Sequence, residues 1–218
     1  MPRQKLAAEP DRPARDPKRT RAAILDAATT EFARYGLGGA RVDRISRASG
    51  ANKRMLYYYF GDKEGLFLAV LEAAYAGIRS AEQKLSLLDV APIESVRRLI
   101  RFTWDYFLAH PEFISLLNSE NLHRASHLRK SRRARSLNSP LIATLGAILE
   151  RGRREDIFRK GVDPLQLYIS IAGLCYFYLS NIHTLSSIFG RDLAAQPARG
   201  ARLRHVTDVV LGYLRREP

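Results

Sequence analysis

Cysteine is almost missing: Cys175 stands alone among 218 residues, so no internal disulfide can form and no cysteine-built metal site is available. That usage fits a reduced, intracellular compartment better than a secreted protein. Long hydrophobic runs are missing as well. The most apolar stretch, Ile171 to Leu179, is far shorter than the roughly 18 to 20 residues a membrane span requires, and Asn181 and His183 follow at once. A soluble protein with no membrane partner is the expectation. Residues 1–15 alternate proline with Arg, Lys and Asp around no apolar centre, which argues against a signal peptide or anchor and predicts a disordered basic arm. A glycine-rich phosphate loop and a nucleophile-elbow motif are also lacking, which removes the common signatures of nucleotide-binding and hydrolytic enzymes. Acidic residues are few, 22 against 36 basic ones, and the formal charge of +14 favours a polyanionic partner. Because 14 of the basic and 8 of the acidic residues lie within the first 65, the excess is spread along the chain, and charge alone does not select DNA.

What is present is helical periodicity. Asp16-Pro17 has the form of a cap followed by a first-turn proline, and Ile24, Ala27, Ala28 and Phe32 recur at three-and-four spacing up to Gly36. Val42, Ile45 and Ala48 mark a short second helix stopped by Gly50, and a third short helix is expected from about Asn52 to Tyr59. Asp62 is placed to cap a long fourth helix with Leu66, Phe67, Val70, Leu71, Ala74 and Ile78 on its apolar face. Beyond Asp89, helices are predicted over 92–110, 111–130, a Pro140-centred restart to 154, 164–189 and 201–216, with breaker-rich loops at 87–92, 158–164 and 190–200. No useful period-two alternation competes, so the fold class is all-α. The expected organisation is an arm over 1–15, a helix-turn-helix domain over 16–77 with its boundary near Gly77, and a second helical domain over 78–218.

Two short helices across Gly50-Ala51, braced by a third, form the geometry that lays one helix in the DNA major groove while its partner crosses the backbone. Asn52, Lys53 and Arg54 fall in the first turn of the inserted helix, where base edges are met, and Lys53 and Arg54 are the expected base readers. Tyr57 and Tyr58, one turn on, and Lys63, at the start of the fourth helix, are placed for phosphates, while Leu56, Tyr59 and Phe60 form the packing face. The bland alternative is a three-helix subdomain with solvated cations and packed tyrosines.

The stretch from Gly50 to Leu66, with Tyr57-Tyr58-Tyr59-Phe60 followed at Lys63 by a lysine, resembles the tetracycline-repressor (TetR) family of bacterial regulators. Arg21, Ile24-Leu25, Ala27-Ala28, Phe32 and Gly36 are similar to that family's first helix, and Val42, Ile45 and Gly50 to its second, so the likeness covers about residues 18–70. Arg41 departs from it, standing where the family often has a capping Ser or Thr; it is expected to reach phosphate by charge instead. The C-terminal part resembles the family, in particular its RutR-like branch, in helix number and length. The resemblance implies a cytoplasmic bacterial repressor, on the nucleoid when bound, that holds a palindromic double-stranded operator as a homodimer and is released by a small organic effector. Helices 164–189 and 201–216 would form the dimer interface. The first of these is apolar nearly all round, which requires burial on two sides.

Candidate effector contacts are Trp104, Phe107, Phe113, Tyr176, Tyr178, Asn181 and His183, aromatic walls with a few polar groups, although aromatics at helical spacing are also ordinary core. Glu120, His123 and His127 share a helical face, but no fourth ligand converges, so neither a metal nor a cofactor is expected. The basic run from Arg124 to Arg135 reads as a solvated face. Two other functions stay open: a helix-turn-helix activator or non-sensing DNA binder, and a helical enzyme with Cys175 as nucleophile and His183 as base. The enzyme is poorly supported, because eight residues of helix separate that pair by roughly 12 Å of rise and about 80° of turn.

Overall fold

The computed structural model describes residues 16–215, with the side chains of 137–139 left aside; the arm expected at residues 1–15 lies outside the described residues. Ten α-helices follow one another among them: α1 (Pro17–Gly39), α2 (Val42–Ser49), α3 (Lys53–Phe60), α4 (Lys63–Gln83), α5 (Pro92–Ala109), α6 (Pro111–Leu122), α7 (Arg132–Arg154), α8 (Pro164–Ser180), α9 (Ile182–Phe189) and α10 (Gln196–Leu214). One isolated bridge between Phe158 and Arg215 is the only β pairing in the described chain. No single described helix is long and apolar enough to cross a membrane.

The first four helices follow their sequence signals closely. Asp16 accepts the Lys18 N–H at 2.9 Å, Asn52 accepts that of Met55 at 3.0 Å and Asp62 accepts that of Gly65 at 2.6 Å, each satisfying a donor that a helix start leaves orphaned. Regular α1 breaks at Gly36, whose φ of 63° and ψ of 178° turn the chain before one last turn to Gly39.

Four later boundaries differ from the sequence reading. Helix α6 ends at Leu122, not near Lys130, because Arg124 and Ala125 both take positive φ and send the chain into a separate 3-10 turn at Leu128–Lys130. Helix α7 begins at Arg132, with Ser131 accepting the Ala134 N–H at 2.9 Å, and carries Pro140 inside it, so the cap outweighs the proline as a start signal. The helix predicted over 164–189 is two helices, α8 and α9, bent by 66°. Asn181 sits at the break and donates its side-chain N–H to the Phe177 carbonyl at 2.8 Å, a local bond that competes with continued helix. Helix α10 starts at Gln196 instead of Ala201, with a first-turn proline, and absorbs Gly200.

Two apolar cores result. Ile24, Phe32, Ile45, Leu56, Phe67 and Val70 close the first around α1–α4, and Phe32 meets Phe67 edge-to-face with centroids 5.0 Å apart. The second gathers Leu99, Trp104, Leu145, Ile148, Ile171 and Val206 from α5, α7, α8 and α10. Helix α4 joins the two, since Leu66 to Leu71 serve the first core, Ile78 serves the second and Ala74 touches both. Helix α6 does likewise, with Leu116 in the first core and Phe113 in the second.

Candidate nucleic-acid interface

Helix α3 is held rigidly on one side and left bare on the other. Leu56 is buried in the first core, Tyr59 and Phe60 pack partly against it, and the Arg21 guanidinium lies 5.0 Å over the Phe60 ring. Tyr57 and Tyr58 point outward, 48% and 77% exposed, alongside exposed Asn52, Lys53 and Arg54. Exposed aromatic rings at a helix surface are costly to leave wet, and here they sit among cations and capped N–H groups, the composition of a surface that meets phosphate. Among the described residues Arg54 has no hydrogen-bond or ion-pair partner for its side chain, which is exposed.

The turn before α3 is fixed by Gly50, which closes α2 in the left-handed region with φ 64°. The turn after it is fixed by Gly65, where a Cβ would come within 2.2 Å of the Phe60 carbonyl oxygen. Only a residue without a side chain lets α4 start so close behind α3.

The remaining predicted residues are placed less simply. Lys53 forms an ion pair with Asp43 of α2, and that hydrogen bond raises the ammonium pKa and lowers that of the carboxyl. Lys53 therefore reaches a base only by sharing or leaving Asp43. Lys63 donates to the Gly38 carbonyl at 3.4 Å, which holds its stem along the α1 end of the same face. Arg41 caps α2 without a side-chain bond, and its own backbone N–H is taken by Glu31 of α1 at 2.8 Å.

Sequence reasoning missed Glu31. Burial opposes its ionisation, but the hydrogen bonds from Arg44 and from the Arg41 N–H outweigh that and hold its carboxyl below the usual range. The Arg44 guanidinium also donates to the Gly39 carbonyl at 2.8 Å and lies 4.2 Å over the Tyr35 ring, so this anchor clamps α2 to α1. The only signal in the sequence was an acidic residue on an otherwise apolar helix face.

In the second domain the seven predicted effector contacts separate. Trp104, Phe107, Phe113 and Tyr178 lie in the core, with Trp104 and Tyr178 rings 5.6 Å apart and Phe107 stacked on Phe113 at 5.8 Å. Tyr178 donates to the Leu193 carbonyl at 2.8 Å, Tyr176 donates to Asn118, and Asn181 is the helix-breaking residue already described. His183 is exposed on α9. Cys175 is fully buried, and burial pushes its thiol up to about 12, far from the thiolate a nucleophile needs.

None of the seven lines the cavity of about 350 Å³ that opens between the end of α4, the turn at Leu87–Asp89 and α7. Arg79 and Glu82 reach it from α4, and Pro140, Leu141 and Thr144 close it from α7. Sequence reading passed over this charged pair, since i, i+3 charges on a helix usually face water. Here they are 4% and 5% exposed.

Glu120, His123 and His127, the trio that shares a helical face in the sequence, make internal bonds, His123 through its ring to the Ser119 carbonyl at 2.8 Å. Both Glu120 carboxylate oxygens are occupied, one by the His127 and Leu128 N–H groups at 2.9 Å each and the other by the His127 ring at 2.7 Å. His127 in turn meets Phe67 edge-on at 5.2 Å, so this clamp ties the end of α6 to the first core.

A buttressed, solvent-facing helix behind a tight glycine turn, joined to a helical domain with its own cavity, defines the class of helix-turn-helix DNA-binding regulators. Residues 24–70 match the family described as bacterial regulatory proteins, tetR family, and residues 92–210 match the tetracyclin repressor-like C-terminal domain. The chain belongs to the TetR family of transcriptional regulators. It is 44% identical over 198 residues to the HTH-type transcriptional repressor NicS of Pseudomonas putida, a match covering 91% of this chain and 93% of that one. The HTH-type transcriptional regulator RutR of Escherichia coli is 34% identical over 100 residues, about half of each chain. Among solved structures, a putative transcriptional regulator SCO4942 from Streptomyces coelicolor superposes with a TM-score of 0.69 at 25% identity, over 91% of this chain and 99% of that one. FadR of Bacillus subtilis, solved with stearoyl-CoA, shares the fold at 14% identity, with a TM-score of 0.66 over 89% of this chain and 99% of that one.

Proposed function

We propose that the protein is a homodimeric repressor that reads a palindromic operator through α3 and leaves it when a small effector enters the second domain, acting on nucleoid DNA in a bacterial cytoplasm. The observation that carries this is the free, rigidly based Arg54, Tyr57 and Tyr58 face. Repression is supported by relatives named as repressors, including NicS and SCO4008 of Streptomyces coelicolor. Arg54 is assigned to base edges, Lys63, Tyr57 and Tyr58 to phosphates, Lys53 to bases when released from Asp43, and Asn52 to the cap that aims the helix. Arg41 contributes a phosphate contact.

Dimerisation is supported by an unpaired apolar stripe. Leu165, Ile169 and Phe177 lie at four- and eight-residue intervals on α8 with Gly173 open between them, and Val209 and Tyr213 of α10 lie beside them. Phe177 is 58% exposed, and a helix surface of this kind is stable only when covered. The interface is thus assigned to α8 and α10, with α9 set at 66° to α8.

Helix α4 gives a route between the sites, with the functional boundary placed near Gly77 within it. Lys63 at one end and Arg79 at the other are separated by about 24 Å of helix. Helix α6 gives a second, because Ser119 accepts the Leu37 N–H at 3.2 Å, and the α7 cap gives a third, because Ser131 donates to Glu72 of α4 at 2.6 Å. An effector that binds better to one setting of these helices than to the other changes the spacing of the paired α3 helices.

Transcription from a selected operator in vitro tests the reading. Added protein should lower it and effector restore it, whereas a rise on adding protein would make the chain an activator.

A further inference from the structure

The cavity beside Arg79 carries a chemical preference. Arg79 Nη2 donates to the Tyr168 hydroxyl at 2.8 Å and Nη1 lies 2.6 Å from Glu82 Oε2, yet Nε, Nη1 and Glu82 Oε2 make no directed hydrogen bond. A buried guanidinium with unmatched N–H groups is expensive unless something else completes it. We propose that the cavity is the effector site and that its ligand is a small organic carboxylate, held through its two oxygens by Arg79 with Glu82 as a neutral O–H donor beside it. The proposal rests on the reading of the chain as an effector-responsive regulator.

Planar, two-oxygen acceptors match the guanidinium fork better than any single carbonyl. Size points the same way, since about 350 Å³ is near the lower end of small-molecule sites and leaves no room for a long acyl chain. An anion set beside Arg79 would leave two negative groups facing one positive group if Glu82 stayed ionised. Burial has pushed the Glu82 carboxyl up to about 7, so a proton is taken there at little cost near neutrality. Among the described residues, the charged and titratable groups around it are Arg79 on its own helix, Tyr106 from α5, Tyr168 from α8 and Asp89 at the rim; α7 lines the cavity with Pro140, Leu141 and Thr144, and its Arg151 is turned to the Leu88 and Val90 carbonyls. Among the described residues that line this cavity, Arg79 is thus the cation a ligand meets.

The test is calorimetric titration of the full chain with butyrate, benzoate and phenylacetate, each against its primary amide, with operator occupancy read in the same samples. At least one acid should bind with one site per chain while its amide binds at least about tenfold more weakly. Arg79→Gln should weaken that acid roughly 30-fold or more. Since Arg79 is buried and its loss could unfold the domain, Thr144→Phe, which fills the cavity and keeps the charge pair, should also abolish binding. Acids that fail to bind, that bind no better than their amides, or that still bind Thr144→Phe would overturn the site. Acid binding in the cavity without any change in operator occupancy would uphold the site and sink the effector reading. Release by a neutral compound with no acid bound would uphold the effector reading and sink the carboxylate.

Discussion

Arg54 and Lys63 differ in what holds them, and the difference sets what their loss does. Arg54 has no partner among the described residues, so Arg54→Ala removes a potential two-point contact to one base pair and should relax sequence preference at that position, by about 1 to 3 kcal/mol of discrimination. Lys63 donates to the Gly38 carbonyl and is assigned to phosphate, so Lys63→Ala should weaken binding to all sequences alike and reduce the salt slope by about one. Binding isotherms across a salt series with cognate and scrambled duplexes separate the two, and exchanged behaviours would reverse the roles. Asp43 holds Lys53, so Asp43→Asn should tighten DNA binding several-fold by releasing a cation and deleting a negative charge; unchanged affinity would show that Lys53 does not act on DNA. Glu82 makes a prediction of the opposite kind, on stability. Its folded-state pKa, about 7, lies above the ordinary 4.5, so folding favours its protonated form. Its contribution is full below pH 4.5, is lost as pH rises towards 7 and is flat beyond, a change on the order of 3 kcal/mol. Urea unfolding from pH 4 to 8 should show that decline in the wild type and lack it in Glu82→Gln.

At the scale of elements, the α3–α4 junction is set by the close approach of Gly65 to the Phe60 carbonyl. Gly65→Ala drives a methyl into the Phe60 carbonyl, which should destabilise the chain by roughly 1 to 3 kcal/mol and misalign α3, lowering operator affinity more than a surface change of equal stability cost. Thermal melts beside binding assays of the same variant check this. The first four helices were legible in the sequence because α1, α3 and α4 begin with a cap in Asp16, Asn52 and Asp62, and α1, α2 and α3 end at or beside a glycine. The long C-terminal helices were legible as existing and blurred at their ends. Pro140 was read as a start although a proline in the third turn of a capped helix can be carried, and Ser131, the true cap, was hidden in a basic run. Asn181 breaks α8 from α9 through a side-chain bond that apolar periodicity cannot report. The exposed residues of α3 were legible for the same reason as their helix, being local. The Arg79–Glu82 pair was not, because only the fold shows that α7 and α8 bury a helix face that looks solvated in sequence.

At the scale of the molecule, a charge of +14 draws the chain to any DNA at low salt, so specificity must come from two α3 helices engaged together. The stripe of Leu165, Ile169 and Phe177 is where the copies would meet. Ile169→Glu should shift sedimentation from dimer to monomer and weaken operator binding by about 100-fold or more while leaving non-specific binding at low salt nearly unchanged. The most direct test of a dimeric, sequence-reading regulator is selection of binding sites from a random DNA pool at physiological salt, by the wild type and by Arg54→Ala. The account predicts a palindrome with half-sites about one helical turn apart whose preferred bases change in the variant. Recovery of no enriched sequence, with binding that simply tracks salt, would contradict it.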